Sequence, residues 1–370
     1  MAVIERAEIT MVNLSPKVKR VDAIQVFESQ ETPILTVYDS DGASGTGYTY
    51  TIGTGGQSVV ALLKETLLPT LIGQDADRIE AIWSCLLFKT HATAVGAITS
   101  LSLAAIDTAL WDLRCKRGGL PLWKAAGGFR ESTPLYTTEG GWLHLETSQL
   151  VDDAVAMKEA GFRGAKLKVG REHINEDSGR LAAVRDAVGP GFEIMTDANQ
   201  SFTLSESIRR ARMLEEHGIA WFEEPLPADD VASHATLARS TSVPIAVGES
   251  MYSLGQFKEY IVSGAASIVQ VDVARIGGIT PWLKVAHMAE AHNIAVCPHF
   301  LMELHLPLVC ATPNAKWLEY IPQIDDLTKT AMRIENGRAY PSDEPGLGID
   351  WDWKAIDGLA MGREVVAEAA

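Results

Sequence analysis

Long apolar runs are missing from this chain of 370 residues. No stretch of about 18 consecutive apolar residues occurs, so no membrane-spanning helix is expected. The first residues, Met1-Ala-Val-Ile-Glu-Arg6, lack a basic flank followed by an apolar core, so no signal peptide is expected and a cytoplasmic location is the default. Cysteine is scarce. Cys85, Cys115, Cys297 and Cys310 show neither Cys-x-x-Cys spacing nor a disulfide framework, which makes them expected reduced core residues. Positive charge is short too: the formal net charge is -16, whereas nucleic acid and anionic membranes both need a clustered basic footprint. An anionic small molecule stays possible, because a few local cations or a metal reverse the sign inside a cleft. Nucleotide signatures are also absent. Gly53-Thr-Gly-Gly-Gln-Ser58 lacks the Gly-Lys-Ser/Thr ending, and no Gly-x-Gly-x-x-Gly enters a helix after a first strand.

What the chain does have is the composition of an ordinary globular protein, 46% hydrophobic and 22% charged, with length enough for a large core. Residues Ala7 to Tyr50 predict a β-meander: Glu8-Ile-Thr-Met-Val12, then Ile34-Leu-Thr-Val-Tyr-Asp39, an Asp41-Gly42 turn, and Gly45-Thr-Gly-Tyr-Thr-Tyr50. The polar loop between the first two strands carries Lys17, Lys19 and Arg20, either a solvated turn or a substrate-facing flap. From Val59 to Ala126 the pattern is helical, most apolar over Ser100–Leu113. Residues 1–130 are therefore expected to form an α+β capping domain.

Beyond Glu131 short apolar runs alternate with amphipathic segments. Candidate strands begin near Pro134, Gly164, Phe192, Ile219, Pro244, Ser267, Ile294 and Lys316, which predicts a (β/α)7-8 barrel of the TIM type over residues 131–322. An open doubly wound sheet is the alternative. Residues 323–370, with turns at Asn336-Gly337 and Pro345-Gly346, are expected to pack back on the capping domain.

The second of these strands, Gly164-Ala-Lys-Leu-Lys-Val-Gly170, has its charges on the unexpected side. Side chains alternate along a strand, so Lys166 and Lys168 share one face while Ala165, Leu167 and Val169 share the other. If helices cover the apolar face, both ammonium groups point into the barrel and need partners. An edge strand with one wet face is the plainer reading.

The next three strands supply candidates. They end in Asp197, Glu223 and Glu249, each after apolar residues at alternate positions: Met195 before Asp197, Ile219 and Trp221 before Glu223, Ile245 and Val247 before Glu249. One acid at a strand end is ordinarily a helix N-cap. Three on successive strands would repel one another without a cation, and as hard oxygen donors they favour Mg2+ over Zn2+. Glu224 is expected behind the site. Strand six offers Asp272 and strand seven His299, where a carboxylate would orient the imidazole and raise its basicity. Glu319 on strand eight is either an N-cap or a hydrogen-bonding group at the site. Lys168 and His299 would then flank the ion, and Lys166 is expected to lower the pKa of Lys168 by like-charge repulsion, leaving it partly neutral as a base. Such a site suits removal of a proton α to a substrate carboxylate, with the metal stabilising the enediolate.

In order, Lys166-x-Lys168, Asp197 with Asn199, Glu223-Glu-Pro225, Glu249, Asp272 before Ile276-Gly-Gly278, His299 and Glu319 resemble the enolase superfamily, and within it the mandelate racemase subgroup. The stretches from Gln270 to Pro281, Pro298 to Leu306 and Pro345 to Gly348 are similar to those of talarate/galactarate dehydratases. The resemblance implies an Mg2+-dependent enzyme acting on a small carboxylate, dehydrating an acid sugar to a 2-keto-3-deoxy acid. Asp197, Glu223 and Glu249 would be metal ligands, and Lys168 or His299 would abstract the proton. Asp272 would support His299, which once protonated could help expel the β-hydroxyl as water. Lys166 and Asn199 would bind substrate and Glu319 would hydrogen-bond the enediolate. The loop with Lys19 would close over the distal end. A homo-oligomer is expected. The competing readings are a racemase or epimerase of a 2-hydroxy acid, a cycloisomerase, set aside because its usual strand-six lysine is missing, and a catalytically silent binding protein.

Overall fold

The computed structural model describes residues 2–367. Strand β1 (Ile4–Leu14) and β4 (Gln30–Asp39) pair antiparallel with Ile9 opposite Leu35, and between them a small hairpin, β2 (Arg20–Val21) and β3 (Val26–Phe27), forms a flap. The Asp-Gly turn forms as its residues predict. Asp39 accepts backbone hydrogen bonds from Asp41 and Ala43, and Gly42 takes the positive φ of +83°. Strand β5 (Ser44–Tyr48) follows, and a late strand β16 (Ala360–Ala367) pairs antiparallel with β1, giving the sheet order β16-β1-β4-β5.

The helix Ala97–Arg117 lies against this sheet. Glycine makes the contact close: a Cβ on Gly47 would stand 2.3 Å from the backbone nitrogen of Ala109. Asp112 on the same helix accepts from the backbone N–H of Thr46 in β5 and of Leu347 in the C-terminal segment.

Eight parallel strands form the barrel: β6 (Thr133–Thr137), β7 (Gly164–Lys168), β8 (Glu193–Asp197), β9 (Trp221–Glu223), β10 (Ile245–Val247), β11 (Ile268–Val269), β12 (Ala295–Val296) and β13 (Leu318–Tyr320). Neighbours pair in sequence from β6 to β12. Pairing of Leu318 with Leu135 and a bridge from Val296 to Ala315 close the ring. A hairpin of β14 (Arg333–Glu335) and β15 (Arg338–Tyr340) adds antiparallel to β6. The fold is a TIM-type barrel with an N-terminal α+β cap. None of the described helices is long and apolar enough to cross a membrane.

Tyr136, Met195, Trp221, Ala246 and Cys297 pack together inside the barrel as the floor on which polar residues stand. Two positions further along come Thr138, Asp197, Glu223 and His299, as a period of two demands. Strand β10 departs from the predicted phase. Ala246 faces the interior, while Ile245 and Val247 belong to the outer core. Gly248, at φ +150° and with no room for a Cβ against the backbone of Gln270, breaks the strand's alternation before Glu249.

Cap and barrel are stitched where β11 gives way to the helix Ile279–Ala291. Asp107 of the long cap helix accepts from the backbone N–H of Thr280 at 2.9 Å, supplying a cap that Gly278 cannot. Trp111 donates to Thr280 Oγ1 and Trp83 to the Gly277 carbonyl. Burial pushes the Asp107 carboxyl up to about 7, against the opposing pull of the Thr280 hydrogen bonds. Its folded pKa lies above its unfolded value, so stability from this proton is present in acid and lost as pH rises toward 7. Asp107→Asn is expected to flatten the fall in stability between pH 4 and 7 in urea denaturation. An unchanged slope would show that the proton is not taken up on folding.

Candidate active site

The inward lysines of β7 find partners among the strand-end acids. Lys166, 1% exposed, donates to Glu223 at 2.7 Å and lies 2.9 Å from Glu319 and 3.7 Å from Asp197. Lys168 donates to Asp197. Burial opposes both charges, yet the carboxylates win and hold each lysine above its ordinary pKa, Lys166 well above. The expected lowering of Lys168 is therefore corrected. Lys166 does push it down, but Asp197 pushes it up by more.

Asp197, Glu223 and Glu249 converge, each offering one oxygen, with those oxygens within 4.8 Å of one another. Burial and the neighbouring acids raise Glu223 to about 7 although Lys166 opposes them. Trp221 Nε1 and Gln270 Nε2 donate to its second oxygen. The donor set is all carboxylate, buried and without sulfur, which fits a hard divalent cation such as Mg2+. Glu224 stands behind this group at φ +36°, tied through Gln200 to Ser250.

On the other side His299 Nδ1 lies 2.9 Å from Asp272 Oδ2, and its Nε2 lies 3.3 Å from Glu249. Burial would favour the neutral imidazole, but Glu249 and the Asp272 hydrogen bond raise its pKa. Burial likewise opposes the Asp272 charge, and the His299 partnership holds that carboxyl down to about 2. The carboxylate is further fixed by the backbone N–H groups of Ala274 and Arg275 and by the hydroxyl of Tyr50 at 2.8 Å. Arg275 donates to Tyr50 and to the Glu249 carbonyl. Lys168 thus adjoins the Asp197 end of the acidic group and His299 the Glu249 end.

Glu319 accepts from Thr138 Oγ1 at 2.6 Å and from the Phe300 backbone at 2.8 Å. Burial resists its ionisation, but Lys166 and these donors hold it well below the usual carboxylate range. A role as donor to an enediolate needs a proton that these partners displace. Asn199, buried at φ +43°, gives its backbone N–H to Asp197 and leaves its side-chain oxygen without a partner.

The flap cations are distributed differently from expectation. Lys17 pairs with Asp326 at 2.8 Å, and Lys19 is exposed. Arg20 is buried against Glu139, Gln323 and the Pro322 carbonyl, so it fastens the flap to loops after β6 and β13. Sequence reasoning missed Tyr50, Arg275 and Gln270. Gln270 alone carried a signal, sitting two residues before Asp272 in the inward phase.

A barrel mouth with three converging acids, two inward lysines and an Asp–His pair is a candidate site for metal-assisted proton transfer. Residues 7–127 match the mandelate racemase/muconate lactonizing enzyme N-terminal domain, and residues 149–355 match the enolase C-terminal domain-like family. The chain belongs to the enolase superfamily, in its mandelate racemase/muconate lactonizing branch. It is 39% identical over 316 residues to L-talarate/galactarate dehydratase of Salmonella typhimurium, covering 85% of this chain and 79% of that protein. The crystal structure of the Salmonella typhimurium enzyme liganded with Mg and L-lyxarohydroxamate superposes with a TM-score of 0.94 at 34% identity, over 100% of this chain and 95% of that one. A 3,6-anhydro-α-L-galactonate cycloisomerase from Streptomyces coelicolor is 35% identical, covering 89% of this chain and 91% of its own. With a relative so named, the cycloisomerase stays among the candidate activities.

Proposed function

We propose that the protein is an Mg2+-dependent acid-sugar dehydratase that removes the proton α to a carboxylate and expels the β-hydroxyl. The convergence of Asp197, Glu223 and Glu249 between Lys168 and His299 carries this reading. When bound, Mg2+ would neutralise the charge that grows on the substrate carboxylate as its α-carbon loses a proton. Lys168 or His299 takes that proton, breaking the C–H bond, Lys168 only where a cation held by the acids would relieve the pull of Asp197 on its charge, and Lys166 neutralises the carboxylate. Protonated His299 then gives a proton to the departing β-oxygen. Water leaves, and the resulting enol becomes a 2-keto-3-deoxy acid. The Asp272 carboxylate keeps the His299 ring oriented and stabilises its charged form.

A second reading has the same first step and a different fate for the intermediate. Reprotonation on the opposite face gives a racemase or epimerase, and expulsion of a β-oxygen that stays tethered as part of a ring, with later protonation of that oxygen and of the enol carbon, gives a cycloisomerase, as the Streptomyces coelicolor relative is named. A screen of acid sugars with Mg2+ separates them, scoring 2-keto acid in one channel and deuterium uptake from heavy water in another. Keto acid is expected. Deuterium exchange without keto acid would overturn the dehydratase in favour of the isomerase.

The metal assignment has its own test. Glu249→Gln removes one charged donor and is expected to weaken Mg2+ binding by about tenfold or more in calorimetry, the loss of one charge-assisted contact. Wild-type affinity would reject Glu249 as a ligand.

A further inference from the structure

Behind the Asp272–His299 pair stands a second buried imidazole. His305, on the helix Met302–Ala311 that follows β12, is 0% exposed and packs near the ring of Trp282, with centroids 6.3 Å apart. Its Nε2 lies 3.0 Å from the backbone nitrogen of Val273, the residue after Asp272. Its Nδ1 lies 3.2 Å from the carbonyl oxygen of Phe300, the residue after His299. One ring therefore bridges the two segments that carry the pair.

The partners fix the tautomer. A backbone N–H can only donate, so Nε2 accepts from Val273 and the proton stays on Nδ1, where it is donated to the Phe300 carbonyl. An imidazolium would carry a second donor and lose the Val273 link. Burial keeps the ring neutral, with its pKa pushed down to about 4.

Each end of the bridge bears on the pair. Phe300 holds a φ of +62°, a left-handed conformation that a bulky residue keeps only where its surroundings impose it. Here its N–H donates to Glu319 at 2.8 Å and its carbonyl accepts from His305. Held at both ends, Phe300 stacks its ring on the His299 imidazole, with centroids 5.3 Å apart and planes 13° from parallel. On the other segment, Asp272 Oδ1 is taken by the N–H groups of Ala274 and Arg275, which leaves Oδ2 to face His299 Nδ1. The Val273 N–H between them is the one that His305 holds.

We infer that His305 is a positioning residue for proton transfer, a neutral bridge that sets the segments after β11 and β12 at the separation where Asp272 grips the His299 ring. It acts through the pair and not on the substrate. Its effect on turnover rests on the acid-sugar reading, whereas the coupling to His299 rests on geometry alone.

Two substitutions divide the bridge. In His305→Gln the amide reaches as far as Nε2 and retains an acceptor for Val273, and in His305→Asn it reaches as far as Nδ1 and retains a donor for Phe300. Each gives up the other link. The first readout is nuclear magnetic resonance of the Mg2+-loaded full chain with 15N-labelled histidine, the His299 Nδ1–H being identified by its loss in His299→Asn. In both variants this proton is expected to move upfield and to exchange faster with water, as its bond to Asp272 loosens. The second readout is turnover of whichever acid sugar the unmutated chain dehydrates: kcat is expected to fall about tenfold or more, with KM and Mg2+ affinity unchanged. An unmoved His299 resonance would overturn the inference, and so would wild-type kcat. A rise in KM or a loss of Mg2+ affinity alongside kcat would overturn it too, by making His305 a general support of the core. The unmutated chain supplies a check that needs no variant to fold, since a proton found on His305 Nε2 would break the bridge as drawn. If the unmutated chain dehydrates no acid sugar, the acid-sugar reading falls by itself, and the resonance measurements, which need no substrate, still decide the coupling.

Discussion

His299→Asn is expected to reduce kcat by about 10^3-fold, in the range that a single acid–base group contributes, while Mg2+ affinity stays unchanged. Asparagine can still donate to Asp272, so the buried carboxylate at the end of β11 keeps a partner and the fold is spared. What disappears is a group that can both take and release a proton near neutral pH. The three acids do not depend on it. His299 touches Glu249 through Nε2 at 3.3 Å but lies outside the converging carboxylates. Turnover and calorimetry on the same preparation decide the matter. A kcat close to that of the wild type would remove His299 from the reaction, and a parallel loss of metal affinity would reassign it to the ion site.

Lys166→Met is expected to destabilise the metal-free protein by about 3 to 5 kcal/mol in urea denaturation, the usual effect of removing one partner from a buried ion pair. Methionine keeps most of the volume, so the floor formed by Tyr136 and Trp221 is not opened. The ammonium is the element that cannot be replaced. Glu223 and Glu319 both lean on it at under 3 Å, and all three side chains are almost completely buried. Adding Mg2+ should return part of the loss, since a cation bound only by the folded chain stabilises it by mass action. A loss below about 1 kcal/mol, typical of an exposed pair, would mean that the acids are protonated or relieved by neighbours.

Much of the candidate site was legible because strands enforce a period of two. Lys166 and Lys168 on one side of an apolar strand, and acids two residues beyond Met195 and Trp221, announce an interior lined with charge. The barrel itself follows from eight apolar runs with helices between them. Glu249 was found for a reason the structure replaces: Ala246 faces inward, and Gly248 resets the phase that simple alternation would have given. Tyr50 and Arg275 were invisible because their meaning depends on a contact between residues 225 positions apart in the chain. The flap misled in the opposite way. Its cations drew attention, yet Arg20 is buried against the loops after β6 and β13, and Lys17 sits in an exposed pair with Asp326. Charge in a loop says little until the backbone fixes which way each side chain hangs.

The hydroxyl of Tyr50 reaches from the cap into the barrel to touch Asp272. Grafting a relative's cap onto this barrel to alter substrate choice would therefore exchange more than the walls of the binding chamber. A graft lacking that phenol, or misaligned with Arg275, would retune the basicity of the imidazole underneath and confound any change in selectivity with a change in rate. Recombination between members of such a family would be tolerated most easily where the donor cap brings its own tyrosine along.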